Sequence, residues 1–251
     1  MKLLAATLAS LSLFASPSAH AEAAEESPVR VVAPALEKYE QGALRDVWNR
    51  SGLSPRDRSI VTLAALIARG DTAELAHVAG LALDNGVKAK ETSEIVTHLA
   101  FYAGWARAKA AAAVIKDVFA ARRIGADQLP RVSPQLLPLN ESAEADRAAR
   151  VGQQFGAAFP GVVQMTTDVL FRDLWLRPDL APRDRSLVTI SALAATGQVA
   201  QLSGHLSIGM NNGLTQAEIA EAITHLAFYA GWPPVFSAMP VAKDVFDRRS
   251  K

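Results

Sequence analysis

The chain contains no cysteine. That removes disulfides, thiolate nucleophiles and thiol–disulfide exchange in one step. The fold must rest on packing, and any chemistry on oxygen and nitrogen groups. An excess of one charge is also missing: 26 Lys and Arg stand against 25 Asp and Glu, a net charge of +1. Without basic blocks to neutralise phosphates, the chain is a poor partner for nucleic acid. Histidine and tyrosine are scarce, with five and three. There is no Gly-rich phosphate loop and no G-x-S-x-G elbow. Long apolar runs are absent beyond Leu3–Phe14, which follows Lys2 and precedes Ser16-Pro17-Ser18 and Ala19-His20-Ala21. A basic start, a short apolar core and an A-x-A site read as a secretory signal over 1–21. The run is shorter than the ~20 residues that cross a bilayer. The expectation is a periplasmic or secreted protein with no membrane association after cleavage. Residues 22–34 read as a disordered leader.

What is present is a duplication. His98-Leu99-Ala100-Phe101-Tyr102-Ala103-Gly104-Trp105 returns unchanged at 225–232, an offset of 127. Pro55–Ser59 returns at Pro182–Ser186, and Lys116–Phe119 at Lys243–Phe246. Residues 45–122 set against 172–249 without a gap give 38 identities in 78 positions. One module is written twice. The first copy spans 35–123 and the second 141–251. Residues 124–140, with Gly125, Pro130, Pro134 and Pro138 and no periodicity, read as a linker.

Within each copy the apolar spacing is helical and nothing alternates as a strand does. Helices are expected near 35–48, 55–68, 72–84, 90–103 and 106–123. In the second copy they fall near 141–158, 162–176, 182–196, 199–211, 215–230 and 234–249. Ser54-Pro55 with Asp57 reads as a helix start, Asn85-Gly86 and Asn212-Gly213 as helix ends. The fold class is all-α.

Glu94, His98 and Tyr102, four apart, lie on one helix face, and Glu221, His225 and Tyr229 repeat them. A carboxylate there can fix the imidazole tautomer or raise its pKa, and the tyrosine can donate a hydrogen bond. The same histidines serve equally well as core residues with satisfied hydrogen bonds. The preceding helix reads Gln201-Leu202-Ser203-Gly204-His205 in the second copy and Glu74-Leu75-Ala76-His77-Val78 in the first. His205 aligns with Val78, so His77 sits about 100° away around the helix. Arg58 and Arg185 can clamp a carboxylate or make helix-start salt bridges. The imidazole spacing is not that of a zinc helix, and no metal is expected.

Taken in order, R-x-R-S-L-x-T, E/Q-L-x-x-H, N-N-G-[LV]-T-x-x-E-I and H-L-A-x-Y-A-G-W-P resemble the carboxymuconolactone decarboxylase family, in the AhpD-like superfamily. The second copy matches over Arg183–Ser186, Gln201–His205, Asn211–Ile219 and His225–Pro233. The first matches at Arg56–Ser59, Asn85-Gly86 and His98–Trp105. The resemblance implies an all-helical AhpD-like fold in two tandem modules. It also implies a homo-oligomer, a trimer imitating the hexameric ring of single-module members. The peroxidase branch places two cysteines and a glutamate where this chain has Gln198, Gln201 and Ser186, or Asp71, Glu74 and Ser59. Thiol-dependent peroxide reduction is therefore excluded. The decarboxylase branch implies loss of CO₂ from a small carboxylated lactone without a cofactor. In that reading His205 is the acid/base, Gln201 its partner or an oxyanion donor, and His225 and Tyr229 a second polar wall. Arg185 holds the substrate carboxylate. Glu74, His77, His98, Tyr102 and Arg58 are the first-copy candidates, with Trp105 and Trp232 beside the substrate. The alternative is a non-catalytic or ligand-binding helical oligomer.

Overall fold

The computed structural model describes residues 28–249. The signal read over 1–21 lies outside the described residues. Residues 28–41 form a unit of their own. It holds α1 (Pro28–Val32), inside the stretch read as leader, and α2 (Pro34–Tyr39). Arg30 clamps Glu37 there through two hydrogen bonds of 3.0 and 2.7 Å.

From Gly42 onward both repeats belong to a single unit. The first contributes α3 (Arg45–Trp48), α4 (Pro55–Arg69), α5 (Leu75–Asp84), α6 (Ala89–Ala103) and α7 (Trp105–Ala121). The second contributes α8 (Glu141–Phe155), α9 (Pro160–Met165), α10 (Pro182–Ala195), α11 (Val199–Asn211), α12 (Gln216–Ala230) and α13 (Trp232–Arg249). No strand occurs among the described residues, and none of their helices is long and apolar enough to cross a membrane.

α4 and α10 are the axis of this unit. Every residue from Asp57 to Ala68 and from Asp184 to Ala195 is buried. Apolar residues run round both helices beyond their first turns, which calls for burial on all sides, and these two pack on one another more than any other pair does. Their charged starts meet in a ring. Arg56 donates to Asp184 at 2.8 Å, and Arg183 donates to Asp57 at 2.7 Å. Glu91 and Glu218 complete it, at 2.9 and 2.5 Å from the same two arginines. The remaining contacts cross over: α6 packs on both α4 and α10, and so does α12. The core is therefore one body of apolar side chains drawn from both repeats.

Two details differ from the periodicity. The helix expected over 162–176 is α9, then a wide π turn over Thr166–Phe171 and a 3₁₀ turn over Leu174–Leu176. That irregular run buries Leu174 and Trp175. The segment 124–140 is pinned rather than loose. Arg177 donates to the carbonyls of Arg131 and Val132, both at 3.0 Å, and the amide of Leu137 donates to the carbonyl of Leu176 at 2.7 Å.

Candidate active site

Glu94, His98 and Tyr102 do share a face of α6, and that face meets α10 of the other repeat. Glu94 is buried and accepts hydrogen bonds from Arg185 at 3.0 Å and from Arg177 at 2.8 and 2.9 Å. Arg185 also donates to the Arg177 carbonyl at 2.9 Å. Its other terminal nitrogen lies 3.3 Å from His98 Nδ1. A guanidinium only donates, so Nδ1 accepts and the His98 proton sits on Nε2. That nitrogen is 2.7 Å from Thr189 Oγ1, whose hydroxyl passes its own proton bond to the Arg185 carbonyl at 2.9 Å. Burial, then the neighbouring Arg185 charge, holds the His98 pKa well below the usual imidazole range. Of the two roles open to Glu94, fixing the tautomer or raising the pKa, the second is not the one seen, because Glu94 is committed to two arginines. His98 is a neutral, fully bonded core histidine.

One turn further, Tyr102 stacks on His98 with centroids 4.7 Å apart, and its oxygen accepts from Trp175 Nε1 at 2.9 Å. Burial pushes the Tyr102 hydroxyl pKa up, so it stays protonated. Against this pair comes His205 from α11. Its ring is edge-on to Tyr102 at 5.3 Å and parallel to Trp175 at 6.0 Å. Tyr102, His205 and Gln201 line one cavity of about 280 Å³, with Gln198, Thr196 and Arg107 around it. His205 Nδ1 is buried without a partner, and among the described residues no protein group bonds either ring nitrogen. Burial lowers its pKa to about 4. This imidazole is neutral at pH 7 and unoccupied by the protein's own bonds.

The offset of 127 generates a second centre with the repeats exchanged. Glu221 accepts from Arg58 at 3.0 Å and from Arg50 at 2.6 and 3.0 Å. His225 Nε2 meets Thr62 Oγ1 at 2.8 Å, and Trp48 Nε1 donates to Tyr229 at 2.7 Å. Burial and Arg58 push the His225 pKa down to about 3. The position of His205 is taken by buried Val78.

Several sequence expectations are thereby regrouped or corrected. Gln201, His205 and Tyr102 come together, but Tyr102 belongs to the other repeat. His225 and Tyr229 are not the second wall of the His205 centre; their polar partners are Thr62 and Trp48. His77 points to solvent, because it is Val78 that turns inward on α5. Glu74 is exposed, though its charge still acts on Tyr229. Arg58 and Arg185 are fully buried and paired with Glu221 and Glu94, and neither lines the His205 cavity. Trp105 and Trp232 are more than half exposed, at 62% and 53%, and Trp105 stands outside the cavity. Trp175, Thr189 and Arg107 were missed. Trp175 had a visible signal, since it aligns with Trp48, but tryptophan on a helix reads as core. Arg107 had none: an arginine in an alanine-rich helix reads as solvated surface.

Comparison with known proteins fits this duplicated architecture. The model of the carboxymuconolactone decarboxylase family matches residues 33–117 and again 160–244. The 4-carboxymuconolactone decarboxylase of Acinetobacter baylyi is 45% identical over 74 residues, 30% of this chain and 55% of that protein. The nitrosuccinic acid decarboxylase npaB of Metarhizium robertsii is 34% identical over 80 residues, 32% of this chain and 56% of that protein. The chain thus spans about half the length of the curated relatives it matches. Because the family model covers both repeats and more than half of the sequence, the chain is a tandem two-module member of the carboxymuconolactone decarboxylase family.

Proposed function

We propose that the chain is a cofactor-free decarboxylase of a small carboxylated lactone or related ring, and that His205 moves the proton. The observation that carries this reading is the state of His205. It lines a cavity with Tyr102 and Gln201, and its buried Nδ1 has no partner among the described residues. In such a substrate the bond between ring carbon and carboxylate breaks and CO₂ leaves. The electron pair passes through the ring double bond to the lactone carbonyl, so the ring itself is the electron sink. A proton is then delivered to ring carbon, and the double bond has shifted. The low pKa of His205 comes from burial. A substrate carboxylate entering the cavity opposes that effect by favouring the imidazolium, so binding raises the charged fraction of His205. Gln201 and the Tyr102 hydroxyl are placed to donate to the developing carbonyl anion.

The proposal includes self-association. Phe101, Trp105, Trp232, Phe236 and Met239 are large and exposed, a pattern that supports burial against further copies of the chain. A trimer is the expected assembly, checked by light scattering.

The test is turnover. Purified protein is incubated with 4-carboxymuconolactone and with nitrosuccinate, and loss of substrate is followed by ultraviolet absorbance and CO₂ release. His205→Gln is expected to lose about a hundredfold or more in kcat, as removal of a general acid does, with an unchanged melting temperature. His225→Gln is expected to lower the melting temperature instead. Absence of turnover on these and related carboxylated lactones sinks the reading. It would favour the non-catalytic oligomer, for which the second centre, with Val78 in the place of His205, is the supporting observation.

A further inference from the structure

The two centres share their Glu–Arg pair, His–Thr contact and Tyr–Trp bond, and they differ where Val78 stands in the place of His205 and again at the mouth. Around the His205 cavity the mouth is formed by Arg107, Thr196, Gln198 and Gln201. The offset of 127 puts Pro234, Arg69, Asp71 and Glu74 at the equivalent places of the other centre. We propose that Arg107, assisted by Gln198 and Gln201, is the residue that anchors the carboxylate of the substrate. On this basis the His205 centre alone accepts a small organic anion.

Arg107 is the only fully charged side chain lining the cavity, and no carboxylate lines it. Among the described residues no acid pairs with Arg107, in contrast to Arg58, Arg177, Arg183 and Arg185, each of which holds a carboxylate. Its aliphatic stem lies against the turn at Gly70, with Cγ 3.6 Å from where a β-carbon would stand there. The stem and Nε are thus directed by Gly70, and no acid pairs with the terminal nitrogens among the described residues. Arg107 also stands in the first turn of α7, which carries no acidic residue. A cation at that end of a helix opposes the macrodipole, and a bound anion offsets this local cost. Guanidinium and amide side chains together match a carboxylate, one by charge-assisted pairs and the other by neutral donors.

The second centre has the opposite polarity. Asp71 and Glu74 bring two negative charges where the first has Gln198 and Gln201. Arg69, which aligns with Thr196, is already bound to Asp71 at 3.0 Å and reaches the Ala230 carbonyl at 3.4 Å. Pro234 supplies no charge in place of Arg107. An anion placed among these residues meets two carboxylates and an arginine already paired with one of them.

This assignment rests on the His205 cavity being the substrate site, but it is tested by binding rather than by turnover. Succinate is the probe, with succinamide as its neutral counterpart, titrated calorimetrically into the full chain. The wild type is expected to bind succinate and not succinamide. Arg107→Ala should weaken succinate by about tenfold or more, as loss of a charge-assisted hydrogen bond does. Arg107→Lys should recover part of that loss, and Arg69→Ala should leave binding unchanged. Succinate binding that survives Arg107→Ala, or equal binding of succinamide, overturns the assignment, and so does absence of any wild-type succinate binding. Arg107-dependent binding without turnover of any carboxylated lactone would defeat the decarboxylase reading and leave this one standing. Turnover with KM unchanged in Arg107→Ala would defeat this one alone.

Discussion

Glu94 and Glu221 do the same work with unequal partners. Each neutralises a fully buried arginine, yet Arg177 beside Glu94 is 14% exposed and Arg50 beside Glu221 is 54% exposed. Removing one member of a buried pair leaves an uncompensated charge, at a cost of about 3–5 kcal/mol. Glu94→Gln is therefore expected to fall in that range by urea unfolding. Glu221→Gln should cost visibly less, because water can reach Arg50. Equal losses would show that burial of the second arginine does not matter. The histidines set the pH response. His205 and His225 titrate near 4 and 3 in the folded chain, against ~6.5 when unfolded. The unfolded chain takes up these protons first, so stability is intact above about pH 6.5 and declines as pH falls toward 3. His225→Gln should flatten that part of the decline, seen as a smaller drop in melting temperature between neutral and acid pH. An unchanged slope would mean that other groups carry it.

Elements show how much the chain declares locally. Helix starts were legible because a cap needs only its next three residues. Ser54 Oγ accepts the Asp57 amide at 3.1 Å, and Thr215 and Glu218 bond each other's backbone amides at 2.8 and 3.1 Å. Ala181 occupies the place of Ser54 in the second repeat and has nearly the same extended backbone, φ −57° against −67°, but no side-chain bond. Ala181→Ser is expected to add about 0.5–1 kcal/mol, and Ser54→Ala to remove about 1 kcal/mol, both by denaturant unfolding. The all-round burial of α4 could also be read from its unbroken apolar positions. What was not legible is which helix faces which. Glu94 finds its arginine 91 positions away. No local period encodes that pairing, and spacing alone groups each octet with its own repeat. The wide turn at 166–171 was likewise hidden, since its residues keep helical spacing while the backbone does not.

At the scale of the molecule the repeats are not separable parts. Each centre takes its Glu, His and Tyr from one copy and its Arg, Thr and Trp from the other. Expressed alone, residues 28–123 would leave Glu94 without arginines, and 141–249 would leave Arg185 without its carboxylate. Neither piece is expected to give a cooperative melt as a monomer, whereas mixing the two should restore helical circular dichroism and a single transition. A stable monomeric half would contradict the shared core. The register difference between His77 and Val78 was visible in the gapless alignment, and it did point to the place where the centres diverge. That His205 works with Tyr102 rather than Tyr229 needed the fold.

The crossing of the repeats has one more implication, for how such a chain changes over time. When two identical modules associate as separate copies, any substitution strikes both centres together. Once they are joined in one chain, that symmetry is no longer enforced. Position 78 can hold valine and position 234 proline while 205 keeps histidine and 107 arginine. Fusion thus lets one centre drift toward a purely architectural role without disturbing its twin, and the record of that freedom is concentrated at the few places where the copies differ around an otherwise repeated frame.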